Sequence, residues 1–185
     1  MKNENYRQYI HMAATLLVLL FMEFFGRTGT VLMLILVLLV GSLIINIKII
    51  KNRIPLIDGL INLFERDNPR FVGYGSAWLV VGCLLTITFL SDINQIKSVI
   101  WILGIGDGMS TLVGIKSRKK LPYNKKKTIN GSVAMFLSSI PVYFLIGPMG
   151  VLIAAACTII ESIELPINDN ASIPLIGIII LKLFV

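Results

Sequence analysis

Two carboxylates sit where carboxylates are rare. Asp107 lies between Gly106 and Gly108 inside an apolar run, and Asp169-Asn170 directly precedes the last apolar run. A charged carboxylate in hydrocarbon costs roughly 2.5–3.5 kcal/mol on insertion scales, so such a residue is paired or has a task. Mg²⁺ takes oxygen ligands and is often held by only one or two carboxylates, with phosphate and water completing its shell. Asp107 and Asp169 are therefore candidate Mg²⁺ ligands and candidate catalytic groups, and Asn170 offers a neutral amide oxygen. Glu161 and Glu164, one helical turn apart, are placed to orient a base or to serve a metal.

After Asp107 the chain leaves its apolar run through Gly114 and enters a loop with seven Lys or Arg residues, Lys116 to Lys127. That loop closes on Lys127-Thr128-Ile129-Asn130-Gly131-Ser132, just before the next apolar run. Phosphoryl transfer needs a metal on the polyphosphate, cations or backbone amides on its oxygens, and a group that orients the attacking hydroxyl. Lys127 supplies charge, and Thr128, Gly131 and Ser132 can present amides at a helix N-terminus. Gly106 and Gly108 permit close backbone approach, while Arg66 and Arg70 are further candidate phosphate contacts. No G-x-x-x-x-G-K-[ST] segment occurs, which excludes a Walker-type site. Plainer readings stand beside these. Gly104 and Gly108, spaced i, i+4, equally suit helix packing. The basic loop suits a cytoplasmic or anionic lipid surface, and His11 suits a helix end.

Composition decides the setting. Of 185 residues, 56% are hydrophobic and only 15% charged, with mean hydropathy +0.85. These values point to one all-α, membrane-embedded domain covering residues 1–185. Seven spans are expected, near 9–25, 30–47, 75–90, 98–115, 132–146, 149–163 and 171–185. A short turn, Gly26 to Gly29, separates the first two, and an amphipathic interfacial helix is expected from Leu56 to Phe64. Cys83 and Cys157 fall in apolar runs and read as buried small hydrophobes. The net charge of +7 is then a matter of sidedness, not of nucleic acid. With seven spans, fourteen Lys and Arg fall on the side of the N-terminus and three on the other. That places the N-terminus and the acidic and basic candidates in the cytoplasm of a multi-pass cell-membrane protein. The last spans are short, which leaves room for a homodimer.

The residues also carry a resemblance. GDGMSTLVG, then KKTINGS, then ESIELPINDNASIPL resembles the CTP-dependent lipid-alcohol kinases: dolichol kinase, phytol kinase and yeast-type diacylglycerol kinase. The matching positions are Gly106-Asp107, Lys127-Thr128 with Gly131-Ser132, and Asp169-Asn170 with Ile173-Pro174-Leu175. Arg7 and His11 resemble the family's N-terminal Arg-Lys-x-x-His, and FERDNPRFVGYGSAW resembles its Phe-x-Arg segment. Asn130 stands where the family usually has glutamate, so a metal ligand there would be neutral. The resemblance implies transfer of the γ-phosphate of CTP to the hydroxyl of a membrane lipid. Polyprenols such as dolichol, phytol-like prenols and diacylglycerol are the acceptor classes. A lipid cytidylyltransferase, releasing pyrophosphate, and a small transporter, with polar groups at mid-depth on several spans, are the alternatives.

Overall fold

The computed structural model describes residues 2–51, 59 and 73–184, and these are overwhelmingly helical. The expected interfacial helix, together with Arg66 and Arg70, lies outside the described residues.

Helix α1, Lys2–Ile50, contains 49 residues. At 1.5 Å per residue that is roughly 73 Å, more than twice a hydrocarbon layer of roughly 30 Å. Gly26, with φ 65° and ψ −172°, breaks it with a backbone that a residue lacking Cβ adopts without strain. The expected four-residue turn is thus a single-residue break, and Arg27, Thr28 and Gly29 stay helical.

The chain reverses there. Along the first arm, His11 meets Leu103 and Glu23 pairs with Lys97, so this arm is antiparallel to residues 93–116. Along the second arm, Arg27 Nη2 donates to the Ile87 carbonyl at 2.6 Å and Ile45 packs on Gly73. That arm is antiparallel to α2, Tyr74–Phe89.

Helix α3 (Ile93–Trp101), a π turn (Ile102–Gly106) and α4 (Asp107–Lys116) form one rod. It starts before the expected Ser98 because Asp92 caps it, accepting from the Gln95 amide at 2.9 Å. Helix α5 (Ile129–Ser139) continues through a 3₁₀ turn into α6, Tyr143–Ile146. Trp101 Nε1 donates to the Ser138 carbonyl at 3.0 Å, fixing α5 antiparallel to the rod. Gly147, at φ 62°, turns the chain into α7, Pro148–Ser162, and α8 is Asp169–Phe184. Among the described residues, successive helices thus run back and forth between two ends.

Glu4–Ile50, Ile93–Lys116 and Ile129–Ile146 are long and apolar enough to cross a membrane, whereas Tyr74–Phe89 and Pro148–Ser162 are shorter apolar helices. Cys83 and Cys157 are buried and free, as expected. A glycine seam joins the first arm to the rod: a Cβ at Gly104 would overlap the Thr15 side chain, and one at Gly108 would meet Met12 Cγ at 2.5 Å. Gly104→Ala is therefore expected to cost about 1–3 kcal/mol through overpacking, read as a lower melting temperature in detergent. Adding Thr15→Ala should recover part of that loss.

Candidate metal and phosphate site

The π turn ends at Asp107, which is 8% exposed and opens α4. Widening a helix to i→i+5 bonding disturbs the ordinary ladder, and such turns are frequent at functional sites. Here the Leu103 carbonyl accepts a hydrogen bond from His11 Nε2 at 3.2 Å. The same nitrogen lies 3.9 Å from Asp107 Oδ2. The first arm thus holds the turn that aims Asp107.

Two more carboxylates arrive from other helices. Glu161, 1% exposed, closes α7, and Asp169 opens α8. Oxygens of Asp107, Glu161 and Asp169 lie within 4.8 Å of one another. Lys127 reaches in from the basic loop, its Nζ bonding Glu161 and, at 2.8 Å, Asp169 Oδ2. Ser110 Oγ donates to Glu161 Oε1 at 2.9 Å. Burial alone would lower the Lys127 pKa, but Glu161, Asp169 and Asp107 outweigh it and hold the ammonium above its ordinary range.

Asp169 and Asn170 are anchored by backbone chemistry. Pro174 has no N–H, so the Asn170 carbonyl lacks its helical donor four residues on. Gly82 packs against that carbonyl, where any Cβ would overlap it. Asn170 Nδ2 then donates to the Gly75 carbonyl at 3.2 Å.

The basic loop is strapped to the same end. Lys120 bridges Thr128, and Asn124 Nδ2 donates to the Ser162 carbonyl at 2.9 Å. Tyr123 Oη and Ser162 Oγ are 2.9 Å apart, and Lys126 pairs with Glu164 at the surface. Thr128 caps α5, accepting from the Gly131 amide at 3.1 Å. A cavity of about 560 Å³ opens over the carboxylates. Its polar wall includes Arg7, His11, Lys120, Lys126, Lys127 and Asn170.

Of the expected site residues, Asp107, Lys127, Thr128, Glu161, Asp169 and Asn170 share this cavity. Gly106, Gly108, Gly131 and Ser132 do not line it. A Cβ would meet Ser139 Oγ at 2.7 Å from Gly106 and the Ser110 carbonyl at 2.8 Å from Gly131. These glycines serve helix packing, which a sequence spacing cannot tell from phosphate approach. Asn130 is exposed and lies in a different cleft, so its neutrality leaves the carboxylate trio untouched. Ser110 was not singled out from the sequence, although its i, i+3 spacing from Asp107 puts both on one face.

Glu161 Oε2 is buried without a hydrogen-bond partner, and three carboxylates face one ammonium. An oxygen-only cluster of that charge fits a hard divalent cation. Asp107, Asp169 and Glu161 would hold it. Because the folded-state pKa of Lys127 is raised, its ion pairs contribute fully at neutral pH. They fade only as pH climbs through the raised value. Lys127→Met should destabilise the protein by about 3 kcal/mol at neutral pH, the low end for breaking a buried pair, since 23% of that side chain is exposed. Melting temperatures of the variant and the wild type at neutral pH will check this.

Over 180 residues the chain is 28% identical to the uncharacterized protein MJ1137 of Methanocaldococcus jannaschii, covering 94% of this chain and 90% of that one. No family model matches the chain, and no solved structure matches it.

Proposed function

We propose that this protein is a CTP-dependent lipid kinase of the membrane, moving the γ-phosphate of CTP to the hydroxyl of a lipid alcohol. The observation that carries the reading is the convergence of Asp107, Glu161 and Asp169 within 4.8 Å of one another, with Lys127 bonded to two of them. Three separate helices contribute these acids, and a lysine-rich loop shares their cavity. Such a combination suits a nucleoside triphosphate better than it suits a purely structural ion pair, which would need one carboxylate per cation.

In this reading all seven helical passes cross the bilayer, with the N-terminus and the cavity in the cytoplasm. Fourteen of the 17 Lys and Arg then lie on the cytoplasmic side. Asp107, Glu161 and Asp169 would hold Mg²⁺, which would offset the negative charge of the triphosphate. Lys127 neutralises phosphate oxygen, with Lys120 and Lys126 on the cavity wall adding to the field that gathers the nucleotide. The acceptor hydroxyl comes up beside Asp107, from the apolar flank of the helices. Its oxygen forms a bond to the γ-phosphorus as the bridging bond to CDP breaks. The hydroxyl proton passes to a carboxylate of the trio. Arg7, paired with Glu4 at the cavity rim, helps to orient the nucleotide. Choice of cytidine over adenosine rests on the family resemblance.

The purified protein, given radiolabelled CTP and a panel of dolichol, phytol and diacylglycerol, should release CDP and label one alcohol, with ATP a poorer donor. Asp107→Asn should lower the rate by roughly 10²-fold or more, the scale for losing a principal electrostatic contact in such a step. Pyrophosphate and a CDP-lipid as products would replace the kinase with a cytidylyltransferase. No nucleotide turnover with any lipid would remove the enzymatic reading.

A further inference from the structure

A second cleft of about 420 Å³ lies beside α4. It is on the side of the helix opposite the carboxylates: Asp107, Ser110, Thr111 and Gly114 face the first cavity, whereas Met109, Leu112, Val113 and Lys116 face the second. Its other walls are Tyr9 and Met12 from the first arm, with Ser117 and Asn130 at its polar end. We infer that this cleft holds an anionic phospholipid of the surrounding bilayer, headgroup at Lys116, Ser117 and Asn130, and acyl chain along Met12, Met109, Leu112 and Val113.

Three observations support that occupant. The polar end is made of donors without partners among the described residues. Ser117 Oγ is buried with nothing to bond, and neither the Lys116 ammonium nor the Asn130 amide makes a hydrogen bond or ion pair there. An ammonium, a hydroxyl and an amide around one opening complement a phosphodiester. The apolar end follows the correct axis. Met109 lies seven residues from Lys116 along α4, roughly 10 Å deeper, so head and chain are spaced as in an amphiphile standing in a leaflet. The cleft also opens onto lipid-compatible surface. Beyond Met12 the same face of α1 exposes Leu16 and Leu20, and beyond Asn130 the same face of α5 exposes Val133 and Leu137. An acyl chain leaving the cleft therefore continues over apolar surface. A soluble phosphate would satisfy the donors and leave that path uncovered.

This site is independent of phosphotransfer, and its test needs no turnover. The purified full-length chain, stripped of lipid in detergent, is titrated with phosphatidylglycerol and separately with phosphatidylcholine, with retention counted by native mass spectrometry. We expect one tightly retained phosphatidylglycerol per chain. The pair Lys116→Ala and Asn130→Ala should weaken retention about tenfold, while Lys119→Ala, an equal loss of charge outside the cleft, should leave it unchanged. Met109→Trp, which fills the apolar half and keeps every donor, should also weaken it. Circular dichroism and gel filtration confirm that each variant is folded. Equal retention by the double variant and the wild type overturns the proposal. So does equal loss with Lys119→Ala, which would reduce the effect to diffuse attraction. Binding of inorganic phosphate as tightly as the lipid would identify a soluble anion instead and overturn it too.

Discussion

The bonds from Lys127 to Glu161 and Asp169 are the interaction on which the rest of this architecture depends. Ionised carboxylates in a low-dielectric interior repel one another and lose hydration, at a cost of several kcal/mol per ion. A cluster of three is tolerable only because a cation enters it. Lys127 is not part of the helical frame that carries the acids. It comes from a loop, and the pull between loop and helices closes one end of the molecule. Tyr123 and Asn124, both bonding Ser162, fix the loop just before that pull, so the ammonium is held by more than its own charge.

The acids, for their part, are positioned by close backbone contacts. Gly104 and Gly108 admit the first arm of α1, Gly82 admits the Asn170 carbonyl, and Gly131 admits the Ser110 carbonyl. Gly82 and Gly131 each receive a backbone carbonyl, whereas Gly104 and Gly108 receive the Thr15 and Met12 side chains, and together these contacts bring five helices close around the carboxylates. Small residues at helix crossings allow such contact in an apolar solvent, where no hydrophobic force distinguishes a neighbouring helix from lipid. The glycines and the acids are thus parts of one device. Asp107 reaches Glu161 and Asp169 because the chain around it carries so little bulk.

That division explains what could be read from the sequence. Asp107, Asp169 and Lys127 were legible because charge beside or inside apolar runs is costly and therefore conspicuous. The helical class followed from the lengths of the apolar runs. Glu161 was visible but its weight was not, since nothing in the pattern distinguishes it from Glu164, which ends at the surface with Lys126. Gly106 and Gly131 looked like phosphate contacts because a glycine records only that something comes close. The π turn was illegible: i→i+5 and i→i+4 bonding draw on the same residue types, and the distinguishing partner, His11, lies 92 residues away. Gly26 was read as one residue of a turn because sequence gives no measure of how sharply a single glycine can bend the chain.

The reversal at Gly26 has a consequence for the whole site. Had α1 run straight, its second half would have carried Arg27 away from the Ile87 carbonyl and Ile45 away from Gly73, and α2 would have lost the neighbour beside its whole length. Helix α2 supplies Gly75 and Gly82, the two backbone contacts that hold Asn170, and Asn170 adjoins Asp169. A bend at one end of the molecule is therefore connected, through a helix with no charged side chain, to the placement of a carboxylate at the other. Rigid helices carry that dependence, because packed interiors are dense and accommodate displacement poorly. The polar chemistry is concentrated at one end, but the geometry that permits it is distributed along the full length of the helices.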